Sequence, residues 1–387
     1  MTKRTAKTKL AYSKNNQLQE GKVKLLVPEE TLKDPHHARV FYNPVMSLNR
    51  SLSSLFIKQA IADMHLKDVV CFDGFSGMGV RGMRYLAEAN VNKVVFSEAN
   101  DDAIPYIEAN LKLNKIKKSK AVVLHKEVFP ALAESENFDV IELDPFGTPV
   151  HALDPAFKRL KNKSILSVTF TDLANLCGGH PAACKRHYDS KSINCTFSHE
   201  VALRIALAKT ARVAAMHDFA ITPLACWYEG HYVKLILACE RGAAKADACL
   251  KQLGCGFLCR KCLTRGVGQN NMMIANCPNC KNRTDTFGAI WTSAIGNRNF
   301  IQKATSKLSS YKEKQKTEIE NFVNLLLNDV EGPIFFYSLP EIAKHNKTQV
   351  PRLTETIEKL QKAGFVANRT HYDKQSLKTN ASVKEIK

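Results

Sequence analysis

The chain has 387 residues, too many for one ordinary domain, and 44% of them are hydrophobic, enough to build the cores of two or three. Lysine plus arginine number 56 against 37 aspartate plus glutamate, a formal charge of +19, which points to a polyanionic partner and to nucleic acid first. No stretch approaches the roughly 20 apolar residues of a membrane span, and no apolar segment follows the basic start as in a secretion signal. These features exclude a membrane-embedded or disulfide-stapled secreted protein and lead us to expect a soluble, cytoplasmic one.

Residues 1–24 carry Lys3, Arg4, Lys7, Lys9, Lys14, Lys22 and Lys24 against Glu20 alone, and read as a basic, flexible arm. An organelle transit peptide is the competing reading, disfavoured because lysine dominates over arginine. The segment Val40-Phe41-Tyr42-Asn43-Pro44 through Arg50 reads as a loop whose Arg and aromatics could cover a ligand.

From Val69 the pattern alternates. Strands are expected at 69–73, 93–97, 121–124, 138–144 and 164–170, with helices at 80–89 and 102–113 between them, the rhythm of a parallel sheet covered by helices. After the first strand comes Asp73-Gly74-Phe75-Ser76-Gly77-Met78-Gly79, a carboxylate followed by a glycine turn at a helix start. Such a turn lets the backbone approach a nucleoside cofactor closely. Gly77 to Gly82 also satisfies GxGxxG, so a dinucleotide stays open at this point. Asp73 suits a cationic, amino-acid-like end, which favours an adenosyl cofactor. Glu98, ending the second strand, suits ribose hydroxyls. Glu127, just past the third and next to Val128, suits the adenine amino group; a plain helix-start Glu is the competing reading.

The fourth strand runs into Asp144-Pro145-Phe146-Gly147. The exocyclic amine of a base is a poor nucleophile, because its lone pair is delocalised into the ring. Asp144, with the Leu143 or Pro145 carbonyl, can accept hydrogen bonds from that amine and take up developing positive charge. Phe146 can stack on the base, a contact worth roughly 1–3 kcal/mol.

A long amphipathic helix is expected at 199–216 and a hairpin at 220–239. A helix at 246–253 then leads into a cysteine-rich segment, 255–283. Within it Cys259-x2-Cys262 and Cys277-x2-Cys280 have the spacing of a structural, tetrahedral zinc site, with Cys255 as a competing ligand. Residues 303–328 read as helical. Residues 332–380 then read as a winged-helix-like unit, with helices at 339–345 and 351–363 and a hairpin at 366–378. We divide the chain into an α/β cofactor-binding domain, 25–242, and a C-terminal domain, 243–387.

The blocks VFYNPVMSLNR, DGFSGMGVRG, DVIELDPFGTP, TDLANLCGGHPAACKRHY, HEVALRIAL and NRTHYDKQSLKTNA, spread over residues 40–381, resemble the tRNA (guanine-26-N2)-dimethyltransferase family of archaea and eukaryotes, archaeal type. The resemblance implies a class I, Rossmann-like, S-adenosylmethionine-dependent α/β domain and a family-specific α+β domain that helps grip tRNA, with no protein partner. It implies one or two methyl transfers to N2 of guanine-26. Asp144 would be the catalytic carboxylate, and Phe41 and Phe146 would sandwich the guanine. Arg50, Arg81, Glu98 and Glu127 would contact the cofactor, alongside Asp73, Gly77 and Val128. Glu98 and Glu127 stand where the family often has Asp. Two other readings compete: an amino-methyltransferase for adenine or another RNA, and a non-catalytic tRNA-binding protein on the same scaffold.

Overall fold

The computed structural model describes residues 17–34, 37–268, 272–306, 308 and 311–386. The first sixteen residues of the basic arm lie outside this set. The rest of that arm is not the flexible segment expected. Gln17–Glu20 (β1) and Val23–Leu26 (β2) pair antiparallel. Val23 and Leu25 are buried, and the buried Glu20 carboxylate binds Arg50 Nε at 2.6 Å and Arg84 Nη1 at 3.0 Å.

The central sheet has seven strands: β3 (Val70–Gly74), β4 (Lys93–Glu98), β5 (Ala121–His125), β6 (Phe138–Leu143), β7 (Leu160–Phe170), β8 (Phe219–Glu229) and β9 (Tyr232–Arg241). Their order is β5-β4-β3-β6-β7-β9-β8; β3 to β7 run parallel and the hairpin β8–β9 antiparallel. Val140, Ile141, Leu143, Ile165, Leu166 and Val168 are fully buried, as a sheet covered on both faces requires. The chain passes from β5 at one edge back to β6 beside β3. Winding direction reverses between β3 and β6, and ligands in such sheets bind beyond the strand ends at that point. This is the expected Rossmann-like architecture.

The helix Ser198–Ala215, expected to be amphipathic, is buried on nearly every side. The C-terminal elements cover the face that solvent would otherwise take: Arg204 on this helix donates to the carbonyls of Trp291 and Ser293, both at 3.0 Å. Those elements are a three-stranded ribbon, β11-β10-β12, from Leu253–Leu258 (β10), Arg265–Val267 (β11) and Asp285–Trp291 (β12). The helical stretch expected at 303–328 is two helices, Arg298–Thr305 and Glu313–Glu331, with the buried Leu308 between them. The final unit has the helices Leu339–Asn346 and Leu353–Lys362 beside a sheet β13-β15-β14, from Tyr337–Ser338 (β13), Ala367–Arg369 (β14) and Ser376–Thr379 (β15). Its arrangement is winged-helix-like, and Leu263 from the cysteine segment joins its core.

Candidate active site and metal centre

At the reversal point between β3 and β6 lies a cavity of about 370 Å³. Phe41, Arg50, Asp73, Gly77, Arg81, Glu98, Asp144 and Phe146, singled out from sequence, all line it. Glu127 and Val128 do not. Glu127 is exposed at the start of the helix Val128–Ala133, while Val128 is packed into the core beneath it. They stand beside the cavity rather than in it: Lys126 N donates to the Glu98 carbonyl at 3.1 Å.

Asp73, the penultimate residue of β3, has its carboxylate buried, accepting from the Gly82 N–H at 2.9 Å. Burial first, and then the nearby Glu142, push this carboxyl up to about 8 against the pull of Arg81. Gly77 has φ +54°, and a Cβ there would meet only the Phe41 carbonyl, at 3.6 Å, so the turn leaves open space for a ligand. Its N–H donates to Glu98 Oε2 at 2.6 Å, while Glu98 Oε1 accepts from Asn100 N at 2.9 Å. Together these features fit an adenosyl cofactor with an ammonium group: a buried acid wanting a cation, an open backbone cradle, and a strand-end carboxylate.

Behind Asp144 runs a chain of alternating charge that sequence reading did not find. Lys234 on β9 is fully buried and donates to Glu142 Oε1 at 2.5 Å and to Thr169 at 3.1 Å. Glu142 also accepts from Tyr85 OH at 2.6 Å and lies 3.4 Å from Arg81 Nε. Arg81 Nη2 then donates to Asp144 Oδ2 at 2.5 Å, and its Nη1 to Asn49 at 2.9 Å. Burial pushes Asp144 up, but Arg81 and then Lys234 more than offset this and hold it at about 2. Arg81, assigned from the resemblance to the cofactor, is the direct partner of Asp144. Arg50, likewise assigned, holds Glu20 and the Asn43 carbonyl (3.0 Å).

Phe146 is 73% exposed at the cavity mouth. Its ring meets Phe41 edge-on, with centroids 4.7 Å apart at 83°. The two rings touch each other, so the expected sandwich is not a preformed slot. The loop under Phe146 is firm: Gly147, at φ +80°, donates to Thr171 Oγ1 at 2.6 Å and accepts from Thr171 N at 3.0 Å. His231, in the turn between β8 and β9, also lines the cavity. A single histidine in a turn gave no sequence signal for this.

Cys259, Cys262, Cys277 and Cys280 converge with their sulfurs within 4.8 Å of one another. The two knuckles are built alike. Cys259 N donates to Thr264 O and Cys277 N to Asn282 O, both at 2.8 Å; Leu263 N returns to Cys259 O and Lys281 N to Cys277 O. Leu263 and Lys281 take matching left-handed conformations, φ 59° and 61°. Four thiols so gathered suit one tetrahedral zinc ion with no open coordination position. Cys255 is not in the cluster.

A family model described as N2,N2-dimethylguanosine tRNA methyltransferase matches residues 21–387. A curated relative from Methanobrevibacter smithii, named tRNA (guanine(26)-N(2))-dimethyltransferase, is 32% identical over 376 residues, 96% of this chain and 95% of its own. One of the same name from Pyrococcus horikoshii is 30% identical over 380 residues, 94% and 95% of the two chains. The solved structure of Trm1 from Pyrococcus horikoshii with S-adenosyl-L-methionine matches with a TM-score of 0.83 at 28% identity, over 96% of this chain and 98% of that one. Because these matches run through the ribbon and the winged unit as well as the sheet, they reach beyond a shared fold, and the chain belongs to the N2,N2-dimethylguanosine tRNA methyltransferase family.

Proposed function

We propose that the chain transfers methyl groups from S-adenosylmethionine to N2 of guanine-26 in tRNA, giving the mono- and then the dimethylated base. The observation that carries this is the pairing, at adjacent strand ends, of a buried acid short of a cation (Asp73) with an acid kept ionised by Arg81 (Asp144). Bound, the cofactor supplies an electrophilic methyl on a sulfonium. Asp73 would hold its ammonium and Glu98 its ribose, with Glu127 and Val128 beside the adenine and Arg50 and Arg81 near its carboxylate.

Asp144 accepts a hydrogen bond from the guanine amine and so turns its lone pair toward the methyl. A carboxyl held near 2 is a weak base. Asp144 thus stabilises the charge that grows on nitrogen rather than removing the proton, which leaves to water after transfer. Phe146 swings from Phe41 to cover the face of a guanine taken out of the helical stack, and Phe41 takes the other face.

We take residues 25–242 as the catalytic unit and 243–387 as the part that grips tRNA, with the zinc ribbon as a brace. We also place the activity in the cytoplasm, without a protein partner; none of the twelve cysteines is in a disulfide, which suits a reducing compartment. The test is mass spectrometry of nucleosides from tRNA treated with purified protein and S-adenosylmethionine. N2-methylguanosine and N2,N2-dimethylguanosine at position 26 are expected, and none in a tRNA carrying adenine there. Methylation of that adenine variant, or of neither RNA, would sink the reading.

A further inference from the structure

A second cavity, of about 350 Å³, adjoins the first. It lies between the hairpin β1–β2, the helix Ser47–Asp63 along the side that carries Ser47, Leu55 and Lys58, and the start of the helix Glu313–Glu331. Glu20 is the wall between the two cavities: it lines this one, while its partners Arg50 and Tyr42 (OH to Oε2, 2.8 Å) line the reacting one. The start of the helix Ser47–Asp63 serves both, with Ser47 on one side and Arg50 on the other.

Four lysines line this second cavity: Lys22, Lys58, Lys312 and Lys314. None of them forms an ion pair among the described residues, whereas the carboxylates beside them are taken. Arg84 binds Glu20 at 3.0 Å and Glu88 at 2.9 Å, so Glu318 is the one remaining acid among the described lining residues. The cavity thus keeps a surplus of positive charge. The helix Glu313–Glu331 also begins here without a side-chain cap, which leaves its first N–H groups for another acceptor. Tyr311 is the single aromatic among the described lining residues, so the site offers charge and amide donors rather than a stacking platform for a base.

We infer that this cavity receives a phosphate of the tRNA strand that adjoins the target guanine, an inference that rests on the tRNA reading above. The phosphodiester on one side of the Glu20 wall would fix the register of the strand, and the guanine would enter the cavity on the other. Phosphate contacts position a nucleic acid without reading its sequence. The site would therefore set where the guanine lands rather than which base is accepted.

The test is the salt dependence of tRNA affinity for the full chain carrying Lys58→Ala and Lys314→Ala together. Neither side chain has an ion-pair partner to lose among the described residues, and circular dichroism checks the fold. The plot of log affinity against log salt should become shallower by about 1 per lysine removed. The affinity for S-adenosylmethionine should stay as in the wild type. Lys67→Ala, just before β3 and so toward the opposite end of the sheet, should shift the slope less. An unchanged slope in the double variant would overturn the proposal. So would calorimetry in which inorganic phosphate binds the wild type, and not the double variant, while the tRNA slope is unaltered; the ligand would then be free phosphate. A wild-type chain that shows the lysine-dependent slope yet methylates no guanine would overturn the proposed activity and uphold this cavity.

Discussion

Asp73 and Asp144 end neighbouring strands, yet their surroundings push them in opposite directions. Asp73 rises to about 8 through burial and the charge of Glu142, so without a cation beside it the carboxyl is largely protonated near neutral pH. A bound ammonium favours the ionised form. Binding of S-adenosylmethionine near pH 7 should therefore release a proton, and affinity should climb as pH rises toward about 8 and then level off. Calorimetry in two buffers of different ionisation enthalpy reads the release directly; affinity that is flat with pH would contradict it, and Asp73→Asn should abolish the dependence. Asp144, at about 2, is ionised throughout this range, so any acid limb in turnover above about pH 4 belongs to another group. Its depressed value contributes stability that is complete above the ordinary carboxylate range and lost as pH falls through about 2. Asp144→Asn should cut transfer by a factor on the order of 10² to 10⁴, with cofactor and tRNA affinity held. Equal loss of binding and turnover would make the residue structural. Both acids were legible in the sequence because each stands at the end of its strand within a local motif. Lys234 and Tyr85 were not, since they reach Glu142 from 92 and 57 positions away and no local pattern marks such partners.

At the level of elements, the cysteine knuckles were fully readable, because their ligands sit at fixed short spacings. Their mechanical role was not. Arg265, just after the first knuckle, donates to the Phe336 carbonyl at 3.0 Å and to Glu341 at 2.8 Å, tying the ribbon to the winged unit. Elemental analysis should find about one zinc per chain. Chelation, or Cys277→Ser, should loosen the ribbon and the winged unit together, seen as a lower melting temperature. A metal-free sample that stays folded and active would end the assignment. The distinctive C-terminal tail has a similar hidden function. His371 binds Asp329 at 2.5 Å, and Lys378 on β15 donates to Glu200 at 3.0 Å, inside the helix that backs the sheet. All four side chains are buried. Removing one partner of such a cluster leaves charge uncompensated, so Lys378→Met should cost about 3–5 kcal/mol in urea unfolding. A change below about 1 kcal/mol would mean that solvent reaches the cluster.

Over the whole molecule, the strands of the sheet followed from hydrophobic rhythm, but the hairpin β1–β2 and the helix Ser47–Asp63 did not. Positive charge and polarity through residue 24 look uniform in sequence, yet Glu20 is buried. Burial pushes its carboxyl up, and Arg50 and then Arg84 bring it down to about 2, so it is a full anion between two buried cations. This makes a prediction about truncation. Removing residues 1–16 takes away Lys3, Arg4, Lys7, Lys9 and Lys14. The salt dependence of tRNA affinity should become shallower, while S-adenosylmethionine affinity and melting temperature hold, because charge near a polyanion acts through released counterions. Removing residues 1–26 takes Glu20 as well, leaving Arg50, at the edge of the cofactor cavity, without its carboxylate. Melting temperature should then fall and cofactor affinity with it, before any tRNA is added. Fluorescence melts and cofactor titrations of the two truncations side by side separate the effects. If both bound the cofactor equally well, the hairpin would be packing alone, and the link from the chain's basic start to its reacting cavity would be broken.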